Sequence, residues 1–179
     1  MGEFAEVLSK GSLWGVDLLI FITVGSSEEY KFPRLLQIVD ELCDEGVVKG
    51  EEVIAQIGYT QYTPRNYKAF DMTSDEEFKE LVAKSDIVIT HAGTGSVTSA
   101  LKAHRKVIIF PRQFRYKEHL DDHQLELAAL FTDKGYTLSA MDKDELRDRI
   151  LNIDEFHPVE FVSSNKKINK LVIDFIEGI

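Results

Sequence analysis

Three short segments built almost wholly from Leu, Ile, Val, Phe and Thr constrain this chain most: DLLIFITVG (Asp17 to Gly25), DIVIT (Asp86 to Thr90) and KVIIFP (Lys106 to Pro111). A strand with one wet face alternates apolar and polar residues, so nearly unbroken apolar runs of this length read as strands covered on both faces. EVIAQIG (Glu52 to Gly58), YKAFD (Tyr67 to Asp71) and YTLSA read as further short strands. Helical patterns lie between them. FPRLLQIVDELC spaces Phe32, Leu35, Leu36, Val39 and Leu42 along one helical face, and SDEEFKELVAKS opens on Ser74 or Asp75 as a cap with acids in its first turn. SVTSALKA, DDHQLELAALFTDKG and MDKDELRDRI complete the set, the second with Leu120, Leu127, Ala128 and Phe131 as its apolar side. Short strands alternating with helices predict an α/β domain, a Rossmann-like three-layer sandwich around a mostly parallel sheet.

That domain is expected over residues 17–157, after an appendage at 1–16 that packs Trp14 on it. Residues 158–179 read as a terminal helix whose stripe of Ile168, Leu171, Val172, Phe175 and Ile176 either closes the domain or docks on another chain. A net charge of -10 would repel a phosphate backbone, which argues against nucleic acid as a partner. The single cysteine, Cys43, excludes an internal disulfide and suits core packing in a reducing compartment. The longest apolar run is far below the roughly 20 residues that span a bilayer, so a soluble cytoplasmic chain is expected, with any membrane contact made through a partner.

Chemistry is expected at the carboxyl ends of the strands, where helix starts offer free amides. In THAGTGS, Gly93 and Gly95 leave no side chain between those amides and a ligand, so Gly93, Thr94, Gly95 and Ser96 could cradle a phosphate. The plain alternative is a glycine-rich turn before ordinary helix serines. The segment lacks the lysine of a P-loop and the spacing of the dinucleotide fingerprint. His91 is either a structural histidine or a polar N–H for a phosphate or sugar oxygen. His119 and His123 stand four apart like metal ligands, but a third and fourth ligand are missing, and no metal is expected. Gln124 and Glu126 are candidate partners for sugar hydroxyls. Arg112, Arg115 and Lys117, on the loop after KVIIF, either offset a diphosphate or form a solvated face.

In combination, ITVGS (Ile22 to Ser26), THAGTGSV (Thr90 to Val97) and HQLELA (His123 to Ala128) resemble the catalytic subunit of two-component inverting glycosyltransferases. One branch is the eukaryotic Alg13 type; the other serves bacterial and archaeal exopolysaccharide synthesis, and PRQ followed by EH and HQ looks most like the second. The resemblance covers roughly residues 18–150 and implies half of a GT-B fold, the nucleotide-binding C-terminal half. It implies a UDP-sugar as donor substrate without a further cofactor, and a membrane-anchored Alg14-like subunit presenting a polyprenyl-linked acceptor. It carries Gly93, Thr94, Gly95 and Ser96 to the diphosphate, Gln124 to the donor sugar or ribose, and Gly25, Ser26 and Ser27 to the cleft between the halves. Two positions depart from the pattern. Ser99 stands where many relatives have a glutamate that grips the ribose, and His104 stands where a glycine usually ends the helix. For the base that activates the acceptor, Glu28 and Glu29 are the candidates, although unperturbed carboxylates near pKa 4.3 are weak bases. A non-catalytic UDP-sugar-binding subunit and a UDP-sugar epimerase are the alternative readings. The donor sugar is left open among N-acetylglucosamine, glucuronate, galactose and glucose.

Overall fold

In the computed structural model, which describes residues 18–162, the apolar runs pair into six parallel strands. The elements run β1 (Ile20–Thr23), α1 (Pro33–Asp44), β2 (Val53–Gln56), β3 (Lys68–Phe70), α2 (Asp75–Lys84), β4 (Ile87–Thr90), α3 (Thr94–Lys102), β5 (Lys106–Ile109), α4 (His123–Asp133), β6 (Leu138–Ser139) and α5 (Lys143–Leu151). The sheet order is β3-β2-β1-β4-β5-β6. The chain therefore reverses its direction of winding between β1 and β4, whose register pairs Thr23 with Thr90. The expected Rossmann-like α/β sandwich is the observed fold. The appendage at 1–16 and the apolar stripe from Ile168 to Ile176 lie outside the described residues.

Alternate strand residues enter opposite cores. Ile20, Ile22, Ile87, Ile89 and Ile108 pack under α1 and α5, while Phe21, Val88, Val107 and Ile109 pack under the face that holds α2, α3 and α4. Both faces being apolar, the runs need no polar alternation. Pro33 opens α1, where its missing N–H costs nothing. Ser74 caps α2 in a reciprocal box, its hydroxyl accepting from Glu77 N and the Glu77 carboxylate accepting from Ser74 N. Cys43 packs against the α1 core half-buried, and burial first, then nearby carboxylates, push its thiol up to about 11, which leaves it unreactive.

Two features were not expected. The helix predicted around DDHQLELAALF begins only at His123; residues Phe114–Tyr116 form a separate 3₁₀ turn, and Leu120 stands 68% exposed rather than on the apolar side of α4. Asp40, in the middle of α1, is fully buried. Its carboxylate accepts from the Tyr62 hydroxyl, from Arg65 N and from Asn66 N, and so fixes the connection between β2 and β3 to α1. Burial alone would raise its pKa, but these hydrogen bonds outweigh it and hold the carboxyl below its usual range.

At the end of α3, where the family pattern has glycine, the chain keeps the left-handed turn. His104 has φ +56°, and His104 N bonds to Leu101 O and Arg105 N to Ala100 O, a Schellman closure that glycine ordinarily makes. Relieving the left-handed strain, His104→Gly is expected to stabilise the chain by about 0.5–1 kcal/mol in urea unfolding. Asp40→Asn is expected to cost about 2 kcal/mol at pH 7, since it weakens several bonds to a buried carboxylate. Asp40 contributes fully above pH ~4 and less as pH falls through its lowered folded value. The gap between wild type and this variant should therefore narrow in acid.

Candidate active site

At the β1–β4 boundary the chain departs on both sides, and three loops meet beyond the strand ends. They enclose a cleft of about 330 Å3 lined by Ser26, Ser27, Tyr30, His91, Arg112, His119 and Gln124. Six residues singled out in the sequence, Ser26, Ser27, His91, Arg112, His119 and Gln124, are thus brought together from three loops and the start of α4. Glu28 and Glu29 are exposed on the loop that carries Ser26 and Ser27 and are not part of the lining. Among the described residues no carboxylate lines the cleft.

Gln124 sits in the first turn of α4, and its side-chain oxygen accepts from Ala92 N at 3.3 Å and from Arg112 N at 3.0 Å. With both lone pairs engaged by the backbone, the part of this side chain left to a ligand is the NH2 group, a donor only. The histidine beside it sets the shape of both flanking turns. A Cβ at Gly93 would lie 2.2 Å from His91 Nε2, and one at Gly25, which also has φ +83°, would lie 2.8 Å from the same ring. Glycine is needed at both because the imidazole fills the space. Protein atoms enclose the ring while its edge meets the cleft, so burial first, then the Arg112 charge, lower its pKa to about 4. At neutral pH it is uncharged.

Gly95 is different, since a Cβ there would meet nothing within 4 Å. It sits in the first turn of α3, whose first intrahelical bond runs from Val97 N to Gly93 O and which no side chain caps. The amides of Thr94, Gly95 and Ser96 therefore face outward at the positive end of the helix. Ser96 and Ser99 are half-buried on the same helix.

The three cations of the loop after β5 part company. Arg115 and Lys117 are exposed, the first over the Tyr116 ring at 4.7 Å. Arg112 is only 3% exposed; it donates to Val24 O at 2.6 Å, lies over the Phe32 ring, and keeps its Nε without a partner. His119 hydrogen-bonds Asp121 at 3.0 Å and stacks loosely on Tyr30. It precedes α4, so the apparent spacing with His123 is not that of one helix, and no metal-binding cluster occurs among the described residues.

Sequence reasoning missed the pair that shapes this loop. Arg34, in the first turn of α1, grips the buried carboxylate of Glu118 through Nε at 2.7 Å and Nη2 at 2.8 Å. Arg34 also donates to Pro111 O and Met141 O, and Glu118 accepts from Gln113 N. The partners are 84 positions apart, and each alone resembles a solvated helix or loop charge.

Residues 19–177 match the glycosyltransferase family 28 C-terminal domain. The chain belongs to that family. Among curated family relatives, the UDP-N-acetylglucosamine transferase subunit ALG13 of Cryptococcus neoformans is 30% identical over 112 residues, 60% of this chain and 54% of that protein. The Homo sapiens subunit of the same name is 26% identical over 122 residues, 65% of this chain and 10% of the human protein. The chain thus spans about half the length of the fungal relative. The solution structure of ALG13 superposes with a TM-score of 0.61 at 22% identity, covering 89% of this chain and 97% of that one. The MurG structure from Acinetobacter baumannii gives 0.55 at 18%, covering 78% and 42%. A Methanocaldococcus jannaschii UDP-GlcNAc 2-epimerase, in complex with UDP-GlcNAc and UDP, gives 0.57 at 12%, covering 90% and 46%. At these identities the likeness is one of fold.

Because its pKa lies near 4, His91 should show no imidazole titration by NMR between pH 5.5 and 8. Above pH ~6.5 both folded and unfolded chains carry it neutral and its contribution to stability is full. As pH falls toward about 4 the unfolded chain takes the proton first, and that contribution is lost.

Proposed function

We propose that this chain is the donor-binding half of a UDP-sugar-dependent glycosyltransferase, which transfers a hexose-type sugar with inversion to a polyprenyl-linked acceptor. The acceptor is held by a membrane-anchored Alg14-like subunit, so the chain works at the cytoplasmic face of a membrane through that partner. The observation that carries this reading is the uncapped start of α3 with open space at Gly95, at the same sheet edge as a cleft without carboxylates. Membership of the family and the names of the curated relatives support it. In this reading the amides of Thr94, Gly95 and Ser96 bind the diphosphate. They stabilise the negative charge that grows on departing UDP, a role suited to fixed dipoles. Ser99 offers the ribose one hydroxyl where a carboxylate would make charge-assisted bonds, which lowers donor affinity.

Most of the cleft lining is hydrogen-bond donors and hydroxyls, and His119, bonded to Asp121, is its one group besides the weakly basic His91 that is suited in kind to accept a proton. Glu28 and Glu29, on the bordering loop, are the proposed bases, in the half of the site that the partner completes. The acceptor distinguishes the dolichol-type reaction of the eukaryotic subunit from exopolysaccharide assembly, and transfer assays with either lipid decide between them.

Calorimetry with UDP and ADP tests the donor site directly. UDP should bind and ADP should bind much more weakly. Gly95→Asp should abolish UDP heat while leaving the thermal midpoint nearly unchanged, since its side chain enters open space. A folded wild type that gives no heat with UDP would refute a preformed donor site. In the assembled complex, Glu28→Gln or Glu29→Gln at the true base should lower kcat about 10²–10⁴-fold with UDP affinity retained.

A further inference from the structure

Arg112 presents a charge problem that the donor-site reading does not use up. Its guanidinium is almost wholly buried, its Nε has no hydrogen-bond partner, and it forms no ion pair among the described residues. The nearest buried acid, Glu118, gives both of its oxygens to Arg34. Desolvation accordingly pulls the Arg112 pKa down, with Glu118 opposing only from a distance. A buried cation without a counter-ion is expensive, and it persists where a ligand supplies the missing charge.

The surroundings state what kind of ligand that is. Around Arg112 the cleft offers the hydroxyls of Ser26, Ser27 and Tyr30, the imidazoles of His91 and His119, and the NH2 of Gln124. No carboxylate of the described residues is among these lining groups, and the acids beside them, Asp121 on His119 and Glu29 on Tyr30, are exposed to solvent. The diphosphate of a nucleotide sugar already has its own receptor in the α3 amides, and the oxygen of Gln124 joins the two regions by holding Ala92 N and Arg112 N together. The group next to the diphosphate in such a donor is the sugar, and about 330 Å3 admits a hexose ring.

We infer that Arg112 reads a carboxylate on the donor sugar, so that the donor is a UDP-uronic acid rather than a neutral UDP-hexose. The inference rests on the donor-site reading and narrows it to one substrate class. Guanidinium and carboxylate match in a fork of paired hydrogen bonds, which an uncharged hydroxymethyl group cannot form. A neutral sugar would leave the cation buried and unpaired, and the discrimination arises as much from that loss as from the new bonds.

The test is calorimetry of the full chain with UDP, UDP-glucose and UDP-glucuronate, in wild type and in Arg112→Gln. UDP-glucuronate should bind wild type at least about tenfold more tightly than UDP-glucose, and the ratio should fall to about 1 in the variant. A wild-type ratio near 1, with UDP bound, would overturn the uronate assignment and leave the donor site standing. Equal weakening of all three ligands in Arg112→Gln would also overturn it, because the charge would then serve the diphosphate. Absence of UDP binding in wild type would remove both readings together. The wild-type ratio requires no variant, so a misfolded Arg112→Gln protein does not shield the inference, and Arg112→Lys, which keeps the charge but not the fork, should retain an intermediate preference.

Discussion

One oxygen organises the site. Gln124 Oε1 accepts from the amides of Ala92 and Arg112, and so ties the loop leaving β4 to the loop leaving β5 at the edge where the sheet reverses its winding. Backbone amides left unpaired in a buried turn cost far more than a surface bond returns, so this acceptor holds both loops in register with α4. Two consequences follow from the same contact. It places the α3 start beside the Arg112 pocket, and it orients the Gln124 amide so that only its donor end is free.

The electrostatics of the cleft run against those of the chain. With a net charge of -10, an unbiased distribution would bring acids to any large concavity, yet among the described residues none lines this one. The Arg34–Glu118 pair accounts for part of that exclusion. It binds the nearest buried acid bidentately on the side of Pro111 and Met141, with the Phe110 ring 4.5 Å from the guanidinium. Buried pairs of this kind gain little net stability after desolvation. Their value here is positional: Glu118 fixes the Gln113 amide and the turn around it, which turns Arg112 inward while Arg115 and Lys117 remain in water. His91 belongs to the same balance, since the neighbouring cation and its own burial keep it neutral and prevent two positive charges from meeting in one cleft.

How much of this was legible in the sequence depended on the range of the interaction. The strands at Ile20–Thr23, Ile87–Thr90 and Lys106–Ile109 announced themselves, because burial on both faces removes polar residues locally. The cap at Ser74 was readable for the same reason, being written in a few adjacent residues, whereas His104 stood out only against the family's glycine, and its left-handed turn was settled by the fold. Asp40 was not. An acid among DELCD looks solvated, and only the fold brings Tyr62, Arg65 and Asn66 across to it. The loop from Arg112 to Asp122 misled in the opposite direction. Leu120 and His119 fit a helical repeat with α4, but a 3₁₀ turn and a left-handed Lys117 break the period, a choice made by Glu118 and Arg34 from far along the chain. Positions of candidate site residues were legible from motifs; which of three cations faces the cleft was not.

The same reasoning separates binding from chemistry in this domain. Fold alone does not choose between reactions, because a UDP-GlcNAc 2-epimerase and MurG superpose on this chain about equally well. What a half-site can do is set by its inventory of groups. Outward amides, a buried guanidinium, hydroxyls and the neutral His91 imidazole are groups suited in kind to an anionic donor and a leaving diphosphate, while His119, a second lining imidazole bonded to Asp121, is the lining group suited in kind to accept a proton from a hydroxyl. An imidazole with a pKa near 4 is too weak, and the guanidinium is already protonated. Within the lining that leaves His119. A site so composed has most of its groups on the side of an anionic leaving group and few on the side of a nucleophile, a division of labour that suits the two-chain reading proposed above.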